Sequence, residues 1–219
     1  MKNKLLTSVF ALALIVMTIT FSIGLPIYVR PFYYAHINAL DMPEETGYDY
    51  DTIKEAYDEV LDYLTVPGNE FGTGELLHSE EGASHFADCK VLFDLNLWGY
   101  IVSSVLVVAL VILSKKGVFS FTRAGGLGVS FWSGISALFA FALVGGLAAL
   151  DFDRAFVIFH SIFFPGKDNW MFNPRTDQII QVMPEEFFMN CAILIVSSII
   201  VLCLTYIIVG IVRRERKGK

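Results

Sequence analysis

Four apolar runs, residues 5–27, 91–113, 127–150 and 187–212, constrain this chain more than any other feature. Each meets the roughly 20 residues that a helix rising 1.5 Å per residue needs to cross about 30 Å of hydrocarbon. Lipid offers the backbone no hydrogen-bond partners, so runs of this length must be helices. The fold class expected is therefore an all-α membrane protein with four transmembrane helices. A chain that is 55% hydrophobic, with a mean hydropathy of +0.58, fits no soluble protein of this length. Lys2 and Lys4 precede the first run as in a secretory signal, but its core is too long and no small-x-small cleavage site follows. It reads as a retained helix.

Basic residues set the expected orientation. Of the 16 Lys and Arg, ten fall in the N-terminus (Lys2, Lys4), in the 115–123 loop (Lys115, Lys116, Arg123) and in the tail (Arg213, Arg214, Arg216, Lys217, Lys219). By the positive-inside rule these segments are cytoplasmic. Residues 28–94 carry 15 acidic and 3 basic side chains, and residues 151–186 carry 6 and 3. The net charge of -6 thus averages two opposite faces. The organisation expected over 1–219 is one integral membrane domain. Its spans are joined by an extracytoplasmic segment (28–90), a cytoplasmic loop (114–126) and a second extracytoplasmic segment (151–186), and a cytoplasmic tail follows at 213–219. The segments between spans 1 and 2 and between spans 3 and 4 build a small outer cap.

Within the first outer segment, Ile53, Ala56, Tyr57, Val60, Leu61 and Leu64 recur at three- and four-residue steps, the stripe of an amphipathic helix over 50–64. Pro67-Gly68-Asn69 ends it. Ser79 before Glu80 and Glu81 is an N-cap followed by acids that suit a helix dipole, and no proline interrupts the chain from there to Lys115. One helix should therefore start outside and continue through the second span. On it His85 would stand about 9 Å above Val91 and about 15 Å above Leu95. His160 has a similar height above Leu150 if its segment continues helically. Phe152, Phe156, Phe159, Phe163 and Phe164 surround His160 before Pro165-Gly166 and Trp170, an aromatic surface expected to pack under the cap or dip into the membrane interface.

Two histidines near the headgroup plane are groups able to move protons near pH 7. Asp88, at i+3 from His85, is a candidate to fix the ring's tautomer. His36 and His78 read as an interfacial anchor and a surface residue. His85 and Cys89 at i and i+4 begin a metal site without completing one, so no metal or cofactor is expected. Cys89, Cys191 and Cys203 are odd in number and only Cys89 faces outward, which disfavours an intramolecular disulfide. The helix centres carry no ionisable residue, so a proton or ion path through the bundle is poorly supported. There is no nucleotide loop, nucleophile elbow or zinc-protease motif, and no nucleic-acid partner is expected.

The stretches 79–93 (SEEGASHFADCKVLF), 159–166 (FHSIFFPG) and 170–188 (WMFNPRTDQIIQVMPEEFF), with the helix ending at Tyr63-Leu64, resemble the bacterial lipoprotein intramolecular transacylases. The resemblance runs from about Phe32 to Phe188. It implies four helices under an extracytoplasmic cap in the bacterial cytoplasmic membrane, with His85 and His160 as the catalytic pair. Ser84, Asp88, Trp170 and Asp177 stand in the same matched stretches as supporting residues. A small apolar residue is usual in the family where Cys89 stands, which sets this thiol apart from the chemistry. The implied reaction moves the sn-2 acyl chain of a diacylglyceryl-modified lipoprotein onto the α-amino group of its own N-terminal cysteine, leaving a lyso-form lipoprotein. The implied partners are that substrate and membrane lipids.

The residues suit such a reaction. Ester and amine belong to one molecule, so effective concentration replaces an enzyme nucleophile, and none is evident. An imidazole can take the amine's proton and return it to the leaving alkoxide. Two readings from other classes stand beside this one. One is a non-enzymatic membrane protein whose acidic cap recruits a cationic peptide or stabilises a complex. The other is an outward-facing metal-binding or transport protein using His85, Asp88 and Cys89.

Overall fold

The computed structural model describes residues 2–215, so Arg216, Lys217 and Lys219 of the expected cytoplasmic tail lie outside the described residues. Nine helices occur among the described residues, with two isolated bridges and no strand. In chain order they are α1 (Lys4–Tyr28), α2 (Pro31–Ala39), α3 (Met42–Thr46), α4 (Tyr50–Thr65), α5 (Glu80–Lys115), α6 (Val129–Leu150), α7 (Phe152–Phe163), α8 (Ile179–Val182) and α9 (Glu185–Glu215). Four of them, α1, α5, α6 and α9, are long and apolar enough to cross a membrane. The chain divides into two compact units. The first holds residues 1–24, 96–149 and 194–219, and the second holds 25–95 and 150–193.

In the first unit, α6 and α9 pack through glycine. A Cβ at Gly134 would lie 2.9 Å from the carbonyl oxygen of Cys203, and one at Gly210 would lie 2.8 Å from Cβ of Phe131. Between lipid-embedded helices no hydrophobic force drives association, so close backbone approach through small residues supplies the dispersion contacts instead. Side-chain hydrogen bonds add to this. The Thr18 hydroxyl donates to Leu14 O and lies 3.1 Å from the Tyr206 hydroxyl, and Asn96 Nδ2 donates to Thr20 O at 3.1 Å.

The second unit has a core of its own. All six stripe residues of α4 are buried there, joined by Tyr33, Ile37, Met42, Ile179, Val182 and Phe187. Asp49 caps α4 by accepting from Thr52 N at 2.8 Å. Fully burying a side chain of this size contributes about 1.5–3 kcal/mol, so α4 anchors the unit. Tyr33 stacks on Tyr57 with ring centroids 3.6 Å apart, and its hydroxyl donates to Val182 O at 2.6 Å. That bond ties α2 to α8 across most of the unit's sequence.

Two of the few cations in the acidic first segment are paired. Arg30 meets Asp58 at 2.9 Å and also Asp62, while Lys54 meets Asp58 at 2.7 Å. The acidic character expected of this face therefore persists after pairing.

One expectation about chain course is corrected. The segment after the third apolar run does not continue helically to His160. Asp151 adopts an extended conformation (φ -158°, ψ 91°), and its carboxylate accepts from Arg154 N to cap a new helix, α7. The height of His160 thus follows from α7 and not from a rise counted along α6.

The Tyr33 hydroxyl leads to a prediction. Tyr33→Phe removes the donor and leaves the buried Val182 carbonyl with one partner fewer, at a cost of about 1–3 kcal/mol. A fall in Tm should register it in detergent-solubilised protein, and an unchanged Tm would show that the bond contributes nothing.

Candidate active site

The site forms within the second unit from α5, α7 and the loop between α7 and α8. The first requirement is that α5 begin in the right place, and Asp177 arranges this. Its carboxylate, only 4% exposed, accepts from Ser79 N at 2.8 Å and from Ser79 Oγ at 2.7 Å, while Ser79 Oγ accepts from Gly82 N to cap the helix. Burial alone would raise the Asp177 pKa, but the hydrogen bonds from Ser79 and Thr176 outweigh it and hold the carboxyl below its ordinary range. Gly82 makes room for this carboxylate, since a Cβ there would stand 2.2 Å from Oδ1. Next to it, Gln178 N donates to Leu77 O at 2.9 Å, and Leu77 N donates to Gln178 Oε1 at 2.7 Å. Asp177 therefore supports the site by fastening the N-terminus of α5.

Less than two turns along α5, His85 is 6% exposed. Its ring meets Phe164 edge-on at 4.9 Å and Phe172 at 5.4 Å, and lies 5.9 Å from the ring of His160. His160 is 7% exposed, stacked on Trp170 at 4.4 Å and in contact with Phe156 at 4.2 Å. A carbonyl only accepts, so the 2.8 Å contact from His160 Nδ1 to Phe156 O assigns the proton to Nδ1 and leaves the lone pair on Nε2.

Helix α7 is amphipathic in an inverted sense. It buries His160 and exposes Val157, Ile158, Phe159, Ile162 and Phe163 by 47–65%. Such a face would be costly in water and suits lipid.

Burial holds both rings neutral. Desolvation, reinforced by the neighbouring His160, lowers His85 to about 4. Desolvation also lowers His160, against the opposing effect of the Phe156 carbonyl. Two imidazoles this close and this dry do not both carry charge.

The four candidate supporting residues have different places in the structure. Trp170 lies against His160, and Asp177 clasps α5. Asp88 does not bond His85 directly, contrary to the expectation from i+3 spacing: its carboxylate accepts from Lys167 Nζ at 2.5 Å and Asn169 Nδ2 at 3.2 Å, which hold it below the ordinary carboxylate range. Ser84 is exposed and takes no part in the cluster. Spacing along the chain held no signal for Lys167, Asn169 or Phe172, which reach α5 only through the loop after the Gly166 turn (φ 74°).

Cys89 Sγ lies 3.4 Å from His85 Nε2, and desolvation pushes its thiol up to about 12. No third His, Cys, Asp or Glu joins them among the described residues. The three cysteines are free. His36 Nδ1 donates to Phe32 O at 2.7 Å, and His78 is an exposed partner of Thr73; both stand apart from the histidine pair.

The family model described as lipoprotein intramolecular transacylase matches residues 8–188. The solved in meso structure of the membrane-integral lipoprotein intramolecular transacylase from Bacillus cereus is similar at 24% identity and a TM-score of 0.86, covering 98% of this chain and 96% of that one. A variant of the B. cereus protein with one histidine replaced by arginine has a TM-score of 0.79 at 25% identity, covering 98% and 94%. A variant with a histidine replaced by alanine has 0.77 at 25%, covering 97% and 94%. No curated protein matches the chain.

The lowered histidines make stability depend on pH. Between about pH 6.5 and about pH 4 the unfolded chain binds protons that folded His85 refuses, so this part of the stability is complete above 6.5 and declines as the pH falls. Tm should therefore drop between about pH 7 and about pH 5, above the window in which Asp88 and Asp177 titrate. His85→Gln should flatten the drop in part, with His160 supplying the remainder. An equal slope in parent and variant would refute the burial argument.

Proposed function

The chain belongs to the lipoprotein intramolecular transacylase family, and from that premise we propose that His85 and His160 are the proton-transfer pair of its reaction. It is a membrane-integral acyltransferase acting on lipoproteins. One observation carries the assignment of the pair: two imidazoles far apart in sequence meet with ring centroids 5.9 Å apart, walled by aromatic rings.

The substrate is a diacylglyceryl-modified lipoprotein. Its α-amino group, with a pKa of about 7.7–8.0, yields a free lone pair near neutral pH at a cost of about 1 kcal/mol. The nitrogen attacks the sn-2 ester carbonyl and a C–N bond forms. The amine proton passes to an imidazole Nε2, the C–O bond to the glycerol breaks, and the same proton goes to the departing oxygen. The product carries one chain on nitrogen and one on glycerol, with no water consumed and no electron transferred.

The environment suits this sequence. A neutral ring is ready to accept, and the imidazolium it becomes lies in a dry site, where its charge favours the tetrahedral oxyanion and its proton the leaving alkoxide. Mutual repulsion limits the pair to one proton, so proton uptake and return are linked. The exposed apolar face of α7 supports delivery of acyl chains to His160 from the bilayer, which a two-chain lipid does not leave because each buried methylene adds about 0.8 kcal/mol of anchoring.

The family points to the bacterial cytoplasmic membrane, and charge distribution argues for both termini inside and the histidines at the outer face. Asn69 is exposed in the loop after α4. Asn69→Cys should react with an impermeant maleimide applied outside intact cells, and Lys116→Cys only after lysis. The reverse pattern would overturn the orientation.

Mass spectrometry of lipopeptides from a host expressing the chain tests the chemistry. Lyso-form lipopeptides should appear with the parent, and His85→Ala and His160→Ala should each lower their formation by about 10² or more, the range of acid-base groups. The double variant should be little worse than the worse single one, because one imidazole does not complete the proton path. His36→Ala is the control. A folded double variant that still formed lyso-lipopeptide near the parental rate would sink the assignment, and losses that merely tracked Tm would make the two histidines structural and not catalytic.

A further inference from the structure

Around the histidine pair, two buried polar atoms lack hydrogen-bond partners: Nδ1 of His85 and Oδ1 of Asn169. Chemistry fixes which way the Asn169 amide points. A carboxylate only accepts, so the 3.2 Å contact with Asp88 Oδ2 belongs to Nδ2 of Asn169, and the carbonyl oxygen is the atom turned away from Asp88. Asp88 is itself held by Lys167. The grip of Asp88, three residues from His85 on the same face of α5, is what brings the Asn169 amide beside the ring. An amide oxygen only accepts and an imidazole Nδ1 can donate, so the two orphaned atoms on neighbouring side chains are natural partners, each costly to leave alone.

We propose that Asn169 is a positioning residue for the acyl transfer. Gripped by Asp88 through its amide nitrogen, it accepts the Nδ1–H of His85, fixes that tautomer and leaves the lone pair on Nε2. The inference rests on the transacylase reading for its catalytic meaning, but the tautomer it assigns is a property of the resting protein.

A second contact agrees. The atom beside Nε2 is Cys89 Sγ at 3.4 Å, and a thiol that stays protonated offers an S–H to a lone pair. His160 reaches the same state by a different route, its Nδ1–H given to the Phe156 carbonyl. Both rings then present a basic Nε2, one oriented by backbone and the other by the chain Lys167, Asp88, Asn169. Because the His85 lock uses side chains, it is the one that mutation can open.

The test uses the full chain in detergent with ¹⁵N-labelled histidine, together with turnover of a diacylglyceryl lipopeptide. The parent should show His85 as a single Nδ1–H tautomer. Asn169→Ala should give a tautomer mixture and lower kcat by about tenfold to a hundredfold, with KM nearly unchanged, as loss of an orienting partner does. The double exchange Asp88→Asn with Asn169→Asp reverses donor and acceptor between the two positions while keeping an acceptor for Nδ1–H. It should restore most of the turnover, and a carboxylate against the ring should move the His85 titration upward. If Asn169→Ala fails to fold, the double exchange alone decides through its tautomer and titration. An Nε2–H tautomer in the parent, or an Asn169→Ala protein with unaltered tautomer and kcat, would overturn the proposal. A correct tautomer in a parent without transacylase activity would leave the lock standing and defeat the functional reading instead.

Discussion

The hydrogen bonds from Ser79 to Asp177 are the contact on which the site depends. They join residues nearly a hundred positions apart, set a buried carboxylate against the first turn of α5 and fix where that helix begins. A carboxylate at a helix N-terminus meets the positive end of the dipole and free backbone donors, which is why it keeps its charge while buried. The rotation of α5 about its axis then directs His85 inward, and the loop carrying Asp177 is the continuation of the one carrying Asn169, Trp170 and Phe172. A single charged anchor thus indexes both halves of the site.

The aromatic walls have two effects. Phe164, Phe172, Phe156 and Trp170 fix the imidazole planes by contact, and by excluding water they keep both rings neutral at rest. In the proposed reaction, a proton taken from substrate into this dry setting would be held at higher energy than in solution and returned readily to an alkoxide. The same dryness makes a second charge expensive, so in the proposed reaction the two histidines would act as one acid-base device and not as two independent ones.

Helix α7 links this chemistry to its solvent. In a water-soluble protein an amphipathic helix buries its apolar side, whereas α7 buries the histidine side and leaves phenylalanine, valine and isoleucine exposed. That inversion suits a helix whose outer side meets lipid. In the proposed reaction it would bring the histidines toward chains that stay in the bilayer, so that the substrate need not be extracted for acyl transfer to occur.

Much of this was legible in the chain itself. Periodicity and length specify the long apolar helices and the buried stripe of α4, because those signals arise from neighbours three and four residues apart. The Ser79 cap and the unbroken course of α5 are local in the same sense. His85 and His160 could be singled out by residue type and by resemblance, but not paired by spacing. Their approach, the capture of Asp88 by Lys167 and Asn169, the anchoring role of Asp177 and the exposure of Ser84 were decided only in three dimensions. The contacts of Asp88 and Asp177 depend on a loop returning to the N-terminal end of α5 from about 80 to 100 residues away. Linear spacing governs which side chains share a helix face. Which distant donor reaches a buried acceptor first is settled by packing, and here packing gave Asp88 to the loop and not to His85.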